Sequence, residues 1–244
     1  MNIVEIVTTR LHRLTQTFLP KSFLIKSFFF DIMNIIDLTL PITNKTPTFP
    51  GDPKPEIKQV ATIRVEGWNE KRISIGSHFS THVDAPFHML EEGKKLDAYP
   101  IEKFIGEAIV IDVKNKNINP NLDAIKKDDI VFFHTGHAKE MHSNNYFRQN
   151  PILSIETAQE LIAKGIKIVG LDAFSPDNEP FEVHKLLLKN DILIVENLIN
   201  LDKLIGIRFM CYILPLKIMD ADGAPCRVIG VLQENELLTQ INAD

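Results

Sequence analysis

HFSTHVDAPFH, His78 to His88, places three histidines and one aspartate within eleven residues of a chain that holds only eight histidines. If the stretch is a strand, His78, Ser80, His82, Asp84 and His88 face one way and Phe79, Val83 and Phe87 the other, because successive side chains alternate. Distance rules out a straight strand. At ~3.3 Å per residue, His78 and His82 would stand ~13 Å apart, too far for both to reach one ion at ~2 Å each. A helix would bring His78 and His82 together but turn Asp84 away. Pro86 is excluded from a regular central strand. The expectation is a strand that arrives through RISIGSH (72–78) and then bends, so that the donors converge. A plain strand edge would account for one exposed histidine, but not for three in register with an aspartate.

Outward from this stretch, short β-branched and aromatic runs dominate. IIDLTLPI (35–42), VATIRV (60–65), EAIVIDV (107–113), DIVFFHT (129–135), IKIVGLDAF (166–174), DILIVEN (191–197), RFMCYILPL (208–216) and CRVIGVL (226–232) all read as strands. SIETAQELIAKG (154–165) reads as a helix, with Ser154 as N-cap and Gly165 as its stop. FEVHKLLLKN (181–190) reads as a second helix, and LINLDKLIG (198–206) as a shorter third. Helix, strand, helix, strand from 154 to 197 is an α/β unit. The fold class is therefore α/β, a single domain at 35–244 with a mixed sheet and helices packed on it. His184 interrupts an apolar helical run, and Glu196 ends an apolar strand where a terminus would present it at a site edge. His134, His137 and His142 sit in a polar, loop-like stretch and read as surface residues near a site mouth. Trp68 and Asp172 read as structural.

Composition narrows the function classes. The chain is 44% hydrophobic and 24% charged, the balance of a globular protein, and its net charge of −5 gives no footing for a nucleic-acid partner. Cys211 and Cys226 form no Cys-x-x-Cys pattern, which fits a reducing cytoplasm. Residues 1–34 read as an N-terminal extension. It is a loosely docked segment, a leader ahead of a true start at Met33, or a membrane-surface helix. Lys26 interrupts its apolar run well short of the ~18 residues of a membrane span.

The motif resembles the His-x-Gly-Thr-His-x-Asp-x-Pro-x-His signature of the cyclase-like metal hydrolases, the family that includes bacterial kynurenine formamidase. The likeness runs from Ile35 to Leu232. IIDLTLPI and TPTFPGD resemble the family's opening, and PIEKFIGEAIVIDV its segment after the motif. VHKLLLKNDILIVENL resembles its second ligand block, and ADGAPCRVIGV its closing strand. The resemblance implies a swivelling β/β/α core, a homodimer or higher homo-oligomer, and two divalent metal ions. It assigns His78, His82 and Asp84 to the first ion. Asp84 bridges to a second ion held by His184 and Glu196, with Glu196 a further candidate bridge. His88 matches the acid/base residue, and Phe49 stands where formamidases carry a tryptophan that packs on the substrate ring. Ser80 departs from the family's glycine. If that position needs positive φ, serine costs ~1 kcal/mol there.

Donors that are all nitrogen and oxygen suit Zn²⁺, and also Mn²⁺ or Fe²⁺. An ion with an open position brings the pKa of bound water toward neutrality, and the resulting hydroxide can attack a carbonyl carbon. The reaction expected is hydrolysis of a small-molecule amide C–N bond. The resemblance narrows it to N-formylkynurenine, giving kynurenine and formate. The alternatives are opening of cyclic amides or lactones, as in isatin hydrolases, and a non-catalytic member whose ions only staple the fold.

Overall fold

The computed structural model describes residues 34–114, 120–143 and 145–232. Its strands are β1 (Asn34–Asp37), β2 (Glu56–Ala61), β3 (Glu70–Ser74), β4 (His82–Asp84), β5 (Ile105–Asp112), β6 (Ile130–His134), β7 (Ile168–Leu171), β8 (Leu193–Glu196), β9 (Arg208–Pro215) and β10 (Gly223–Leu232). Its α-helices among these residues are α1 (Ile155–Lys164) and α2 (Glu182–Lys189). The sheet runs β1-β10-β4-β8-β7-β6-β5-β9, and a further β10–β9 pairing closes it into a barrel-like ring. The pairings β5–β6, β6–β7 and β7–β8 are parallel. The pairings β4–β8, β4–β10, β5–β9 and β9–β10 are antiparallel.

The parallel strands are buried on both faces, which is why they read as unbroken apolar runs. In β6, Ile130 and Phe132 point into a core shared with Val83, Val195, Phe209 and Val228. Val131 and Phe133 point the other way, into a core shared with Leu161 of α1 and Val183 and Leu187 of α2. β4 and β8 obey the same parity. Val83 and Val195 face the barrel interior, so His82, Asp84 and Glu196 face the helix side. α1 has the caps read from its sequence: Ser154 Oγ accepts from Thr157 N, and Gly165 is left-handed. Both cysteines are free and lie in the interior core.

Three local readings are corrected. The strand expected through 72–78 ends at Ser74 and belongs to a separate two-stranded sheet with β2. VATIRV contributes only Val60 and Ala61 to β2, because Thr62–Val65 turn back and Thr62 N donates to Glu66 Oε2. LINLDKLIG is no α-helix; only Leu201–Leu204 wind, as a 3₁₀ turn whose leucines plug the core. Trp68 lies exposed on the hairpin turn, whereas Asp172 is structural, accepting from Thr135 N, Thr135 Oγ1 and Gly136 N. The extension at 1–34 lies outside the described residues, apart from Asn34 in β1.

Candidate metal centre and substrate cavity

The bend anticipated in the motif occurs at Ser80, whose φ is 63°. Its hydroxyl donates to Leu40 O at 2.8 Å, a bond that offsets the cost of a left-handed serine, each about 1 kcal/mol. Thr81 ties the same turn to two distant segments: its Oγ1 accepts from Leu40 N and donates to Asn197 O. Only His82–Asp84 is strand, and Pro86–His88 then wind into a 3₁₀ turn. The chain thus carries His78 back beside Asp84 on one side and swings His88 over the top on the other. His78 and His88 rings lie 3.8 Å apart between centroids.

Strand register supplies the second half of the cluster. His82 of β4 stands directly opposite Glu196 of β8, and α2 lays His184 against both strands. His82 Nε2 is 3.3 Å from Asp84 Oδ1 and 3.3 Å from Glu196 Oε2. His184 Nε2 is 3.2 Å from Glu196 Oε1 and 3.9 Å from Asp84 Oδ2. His78 Nδ1 is 2.7 Å from Asp84 Oδ1. Each carboxylate therefore divides its oxygens between two groups of imidazoles. Donor atoms each ~2 Å from a tetrahedral ion stand roughly 3.3 Å from one another, so these separations suit bound cations. His78, His82 and Asp84 make one such group, and Asp84, His184 and Glu196 another. Asp84 Oδ2 is buried and accepts no hydrogen bond. A buried carboxylate oxygen left orphaned between imidazoles is costly without a cation, so the residues fit the implied metal.

Electrostatics in the metal-free protein point the same way. Burial disfavours the imidazolium of His78, but the Asp84 charge and the hydrogen bonds His78 donates to Asp222 and Asp84 outweigh it and raise the pKa to about 9. His184 is lifted to about 10 against burial by its bonds to Asp177 and Glu196. His82 is raised for the same reason, by Asp84 and Glu196. Burial would raise Asp84, yet His82 and His78 hold it well below the usual carboxylate range. In other words, protons gather where a divalent ion would neutralise the same charge. His88 differs: burial, helped by the neighbouring His78 charge, outweighs the pull of Asp84 and lowers its pKa, favouring the neutral ring.

Two residues that sequence reasoning missed orient these imidazoles. Asp177 accepts from Val183 N and His184 N at the start of α2, and its Oδ1 lies 2.5 Å from His184 Nδ1, leaving Nε2 for the cluster. Asp222 Oδ2 lies 2.8 Å from His78 Nε2 and 3.7 Å from His88 Nδ1. Next to it, Gly223 pairs with Asp84, and a Cβ there would meet both His78 and Val83 O at 2.7 Å. Only glycine lets β10 pass so close to the first imidazole. His82 Nδ1 is likewise committed, 2.9 Å from Ser80 O.

A cavity of about 220 Å³ opens over the cluster. His78, His82, His88, His184 and Glu196 line one side; Phe49, Phe147 and Phe174 cluster as an aromatic wall, and Phe181 packs edge-on against His184 with ring centroids 5.7 Å apart. Phe49 lies 5.8 Å from both Phe147 and Phe174, and those two pack edge-on at 5.0 Å. Of the aromatic wall, sequence reading found Phe49 alone. The surface reading of His134 and His137 is corrected: both are buried, His134 beside Asp112 and His137 stacked on Tyr146, because the loop after β6 folds down onto Asp172. His142 is exposed as expected.

The sequence model of the Cyclase family matches residues 36–178. The chain belongs to the Cyclase family. Among curated relatives, this Cyclase member is 37% identical to an uncharacterized protein of Methanocaldococcus jannaschii, covering 82% of this chain and 100% of that one. It is 31% identical to the kynurenine formamidase of Bacillus thuringiensis, covering 80% of this chain and 95% of the relative. Among solved structures, a potential metal-dependent hydrolase with cyclase activity superposes with TM-score 0.70 at 28% identity, over 83% of this chain and 99% of the other. Isatin hydrolase A from Labrenzia aggregata superposes with TM-score 0.75 over 87% of this chain and 99% of the other. At 23% identity, that second likeness speaks to the Cyclase fold alone.

Proposed function

We propose that this Cyclase-family protein is a metal-dependent amide hydrolase whose substrate is N-formylkynurenine, cleaved to kynurenine and formate. The observation that carries the reading is the single cavity with metal-type donors on one wall and phenylalanines on the other. The 31% identical kynurenine formamidase, matched over 95% of its length, supports the same substrate.

His78, His82 and Asp84 would hold one ion and Asp84, His184 and Glu196 another, with Zn²⁺ the best match to the donors and Mn²⁺ or Fe²⁺ the alternatives. Ions held there supply Lewis-acid polarisation and water activation near neutral pH. The phenylalanine wall stacks the aryl ring and excludes water, with Phe49 at the mouth. His88 borders the cavity, and its pKa leaves it neutral and able to accept a proton. It takes that proton from the attacking water and delivers it to the anilide nitrogen as the C–N bond breaks. A homo-oligomer is supported by apolar side chains exposed on the β2–β3 hairpin, Ile63, Val65, Trp68 and Ile73. A reducing, cytoplasmic setting is supported by two free, buried cysteines. No helix among the described residues is long and apolar enough to cross a membrane.

The second reading is opening of a cyclic aryl amide such as isatin, which the same aromatic wall would accept. Side-by-side kcat/KM on N-formylkynurenine, isatin and an aryl lactone decides between them. The formamidase reading expects the first to exceed the others; a preference for isatin or the lactone replaces it.

A further inference from the structure

We propose that Asn197 is a catalytic residue, donating a side-chain N–H to the oxygen of the scissile carbonyl as it becomes an oxyanion, with Tyr146 as the residue that positions it. The proposal rests on the cavity being an amide-hydrolase site.

Asn197 follows Glu196 at the end of β8. Had the strand continued, residue 197 would point away from the face that carries Glu196. Its φ of 57° breaks the alternation, and Asn197 lines the same cavity as Glu196. Asparagine is among the few residues other than glycine that accept this left-handed conformation readily.

Its other polar groups are all committed. Asn197 N donates to Ala173 O at 2.8 Å. Asn197 O accepts from Thr81 Oγ1 at 2.6 Å, in the turn that carries the histidine motif. Asn197 Oδ1 accepts from Tyr146 OH at 2.8 Å. Only Nδ2 has no hydrogen-bond partner among the described residues, and the residue lines the cavity.

Tyr146 is itself held rigidly. Its ring stacks on His137 at 4.8 Å with an interplanar angle of 12°. Its carbonyl lies 2.8 Å from His137 Nε2. Phe147 and Phe174 pack edge-on against it. Burial pushes its phenol up, so it remains a donor across the working pH range. With that hydroxyl donating to Oδ1, the amide is held with its oxygen toward Tyr146 and its N–H donors free of it. The run Asp172–Thr135–His137–Tyr146–Asn197 thus ends in one preorganised donor.

When water adds to the carbonyl carbon, the C=O π pair moves onto oxygen. The Asn197 N–H holds that charge until the C–N bond breaks, the pair returns to re-form the carbonyl of formate, and the nitrogen leaves protonated. A preorganised donor of this kind contributes ~10²–10³ in kcat.

The test uses metal-loaded protein and an aryl amide that the wild type hydrolyses. Asn197→Gly keeps the left-handed backbone and removes the donor. It is expected to lower kcat by ~10²–10³ while leaving KM and bound metal unchanged. Tyr146→Phe keeps the ring stack, loses the hydroxyl and should lower kcat in the same direction by less. A tetrahedral aryl phosphonamide should bind Asn197→Gly more weakly in proportion to the lost kcat, whereas the planar arylamine product binds both alike. An active wild type whose kcat is unmoved in Asn197→Gly overturns this proposal alone. So does a fall in kcat that tracks lost metal, which would make Asn197 a prop for Glu196. A wild type that hydrolyses no aryl amide overturns the substrate reading and this proposal together.

Discussion

The two walls of the cavity are built by opposite means. The donor wall stands on β4, β8, α2 and the turns flanking β4, and its imidazoles are pinned from behind. Ser80 O faces His82, Asp177 holds His184, and Asp222 holds His78. The aromatic wall comes from loops, and Phe49 is 44% exposed. Phe49, Phe147 and Phe174 are held by ring contacts with one another. Ligand geometry tolerates errors of only a few tenths of an ångström, so it is placed on strands and a helix. Ring stacking tolerates more, so it is left to loops. Changes on the donor wall should therefore show in metal content and kcat, and changes on the aromatic wall in KM.

The sharpest break of that division is Asp84→Asn. Asp84 divides its oxygens between both imidazole groups, so the variant should lose metal from both and become inactive. A full metal complement after desalting would sink the bridging role. His88→Ala should keep its metal and fold and lose ~10²–10⁴ in kcat. If added metal restores its rate, His88 is a ligand and belongs among the pinned donors. Asp177→Asn should weaken metal binding ~10–100-fold, read by competition with a chelator, and unchanged affinity would show that α2 orients His184 unaided. The smallest effect belongs to the other wall. Phe49→Ala removes ring contacts worth ~0.5–1.5 kcal/mol, so KM for an aryl amide should rise roughly 2–10-fold at constant metal content. A loss confined to kcat would erase the contrast between the walls.

How much was legible in the sequence divides along the same line. Three histidines and an aspartate around a proline announce themselves because few structural roles require that set so close together. His184 and Glu196 stood out because the first interrupts an apolar run and the second ends one. The parallel strands were legible because burial on both faces leaves no polar alternation. Asp177 was not, since an aspartate in SPDNEP looks like any solvated turn until the helix after it folds back onto that carboxylate. Asp222 lay inside the closing segment but shows its role only when Gly223 lets β10 reach His78. Phe147, Phe174 and Phe181 were hidden among 15 phenylalanines, because no spacing links loops that meet only in space. Closure of the sheet was invisible for the same reason: it depends on β10 pairing with β4 at one end and with β9 along the rest.

The central claim is that the donor wall holds metal ions on which hydrolysis depends, and metal titration into stripped protein tests it most directly. In the metal-free chain the folded pKa values of His78 and His184, about 9 and about 10, lie above the ordinary histidine value of 6.5. Their contribution to stability is thus present in full below that ordinary value and is lost as pH rises through about 9 to 10. At neutral pH both rings carry protons that an incoming ion must displace. Titrating Zn²⁺ at pH 7, with bound metal, released protons and N-formylkynurenine hydrolysis followed in one preparation, should show protons leaving as metal binds. Activity should rise from nothing to its maximum as the second ion per chain is taken up. Hydrolysis that persists in fully stripped protein would contradict the account, as would metal bound with no proton release and no gain in rate.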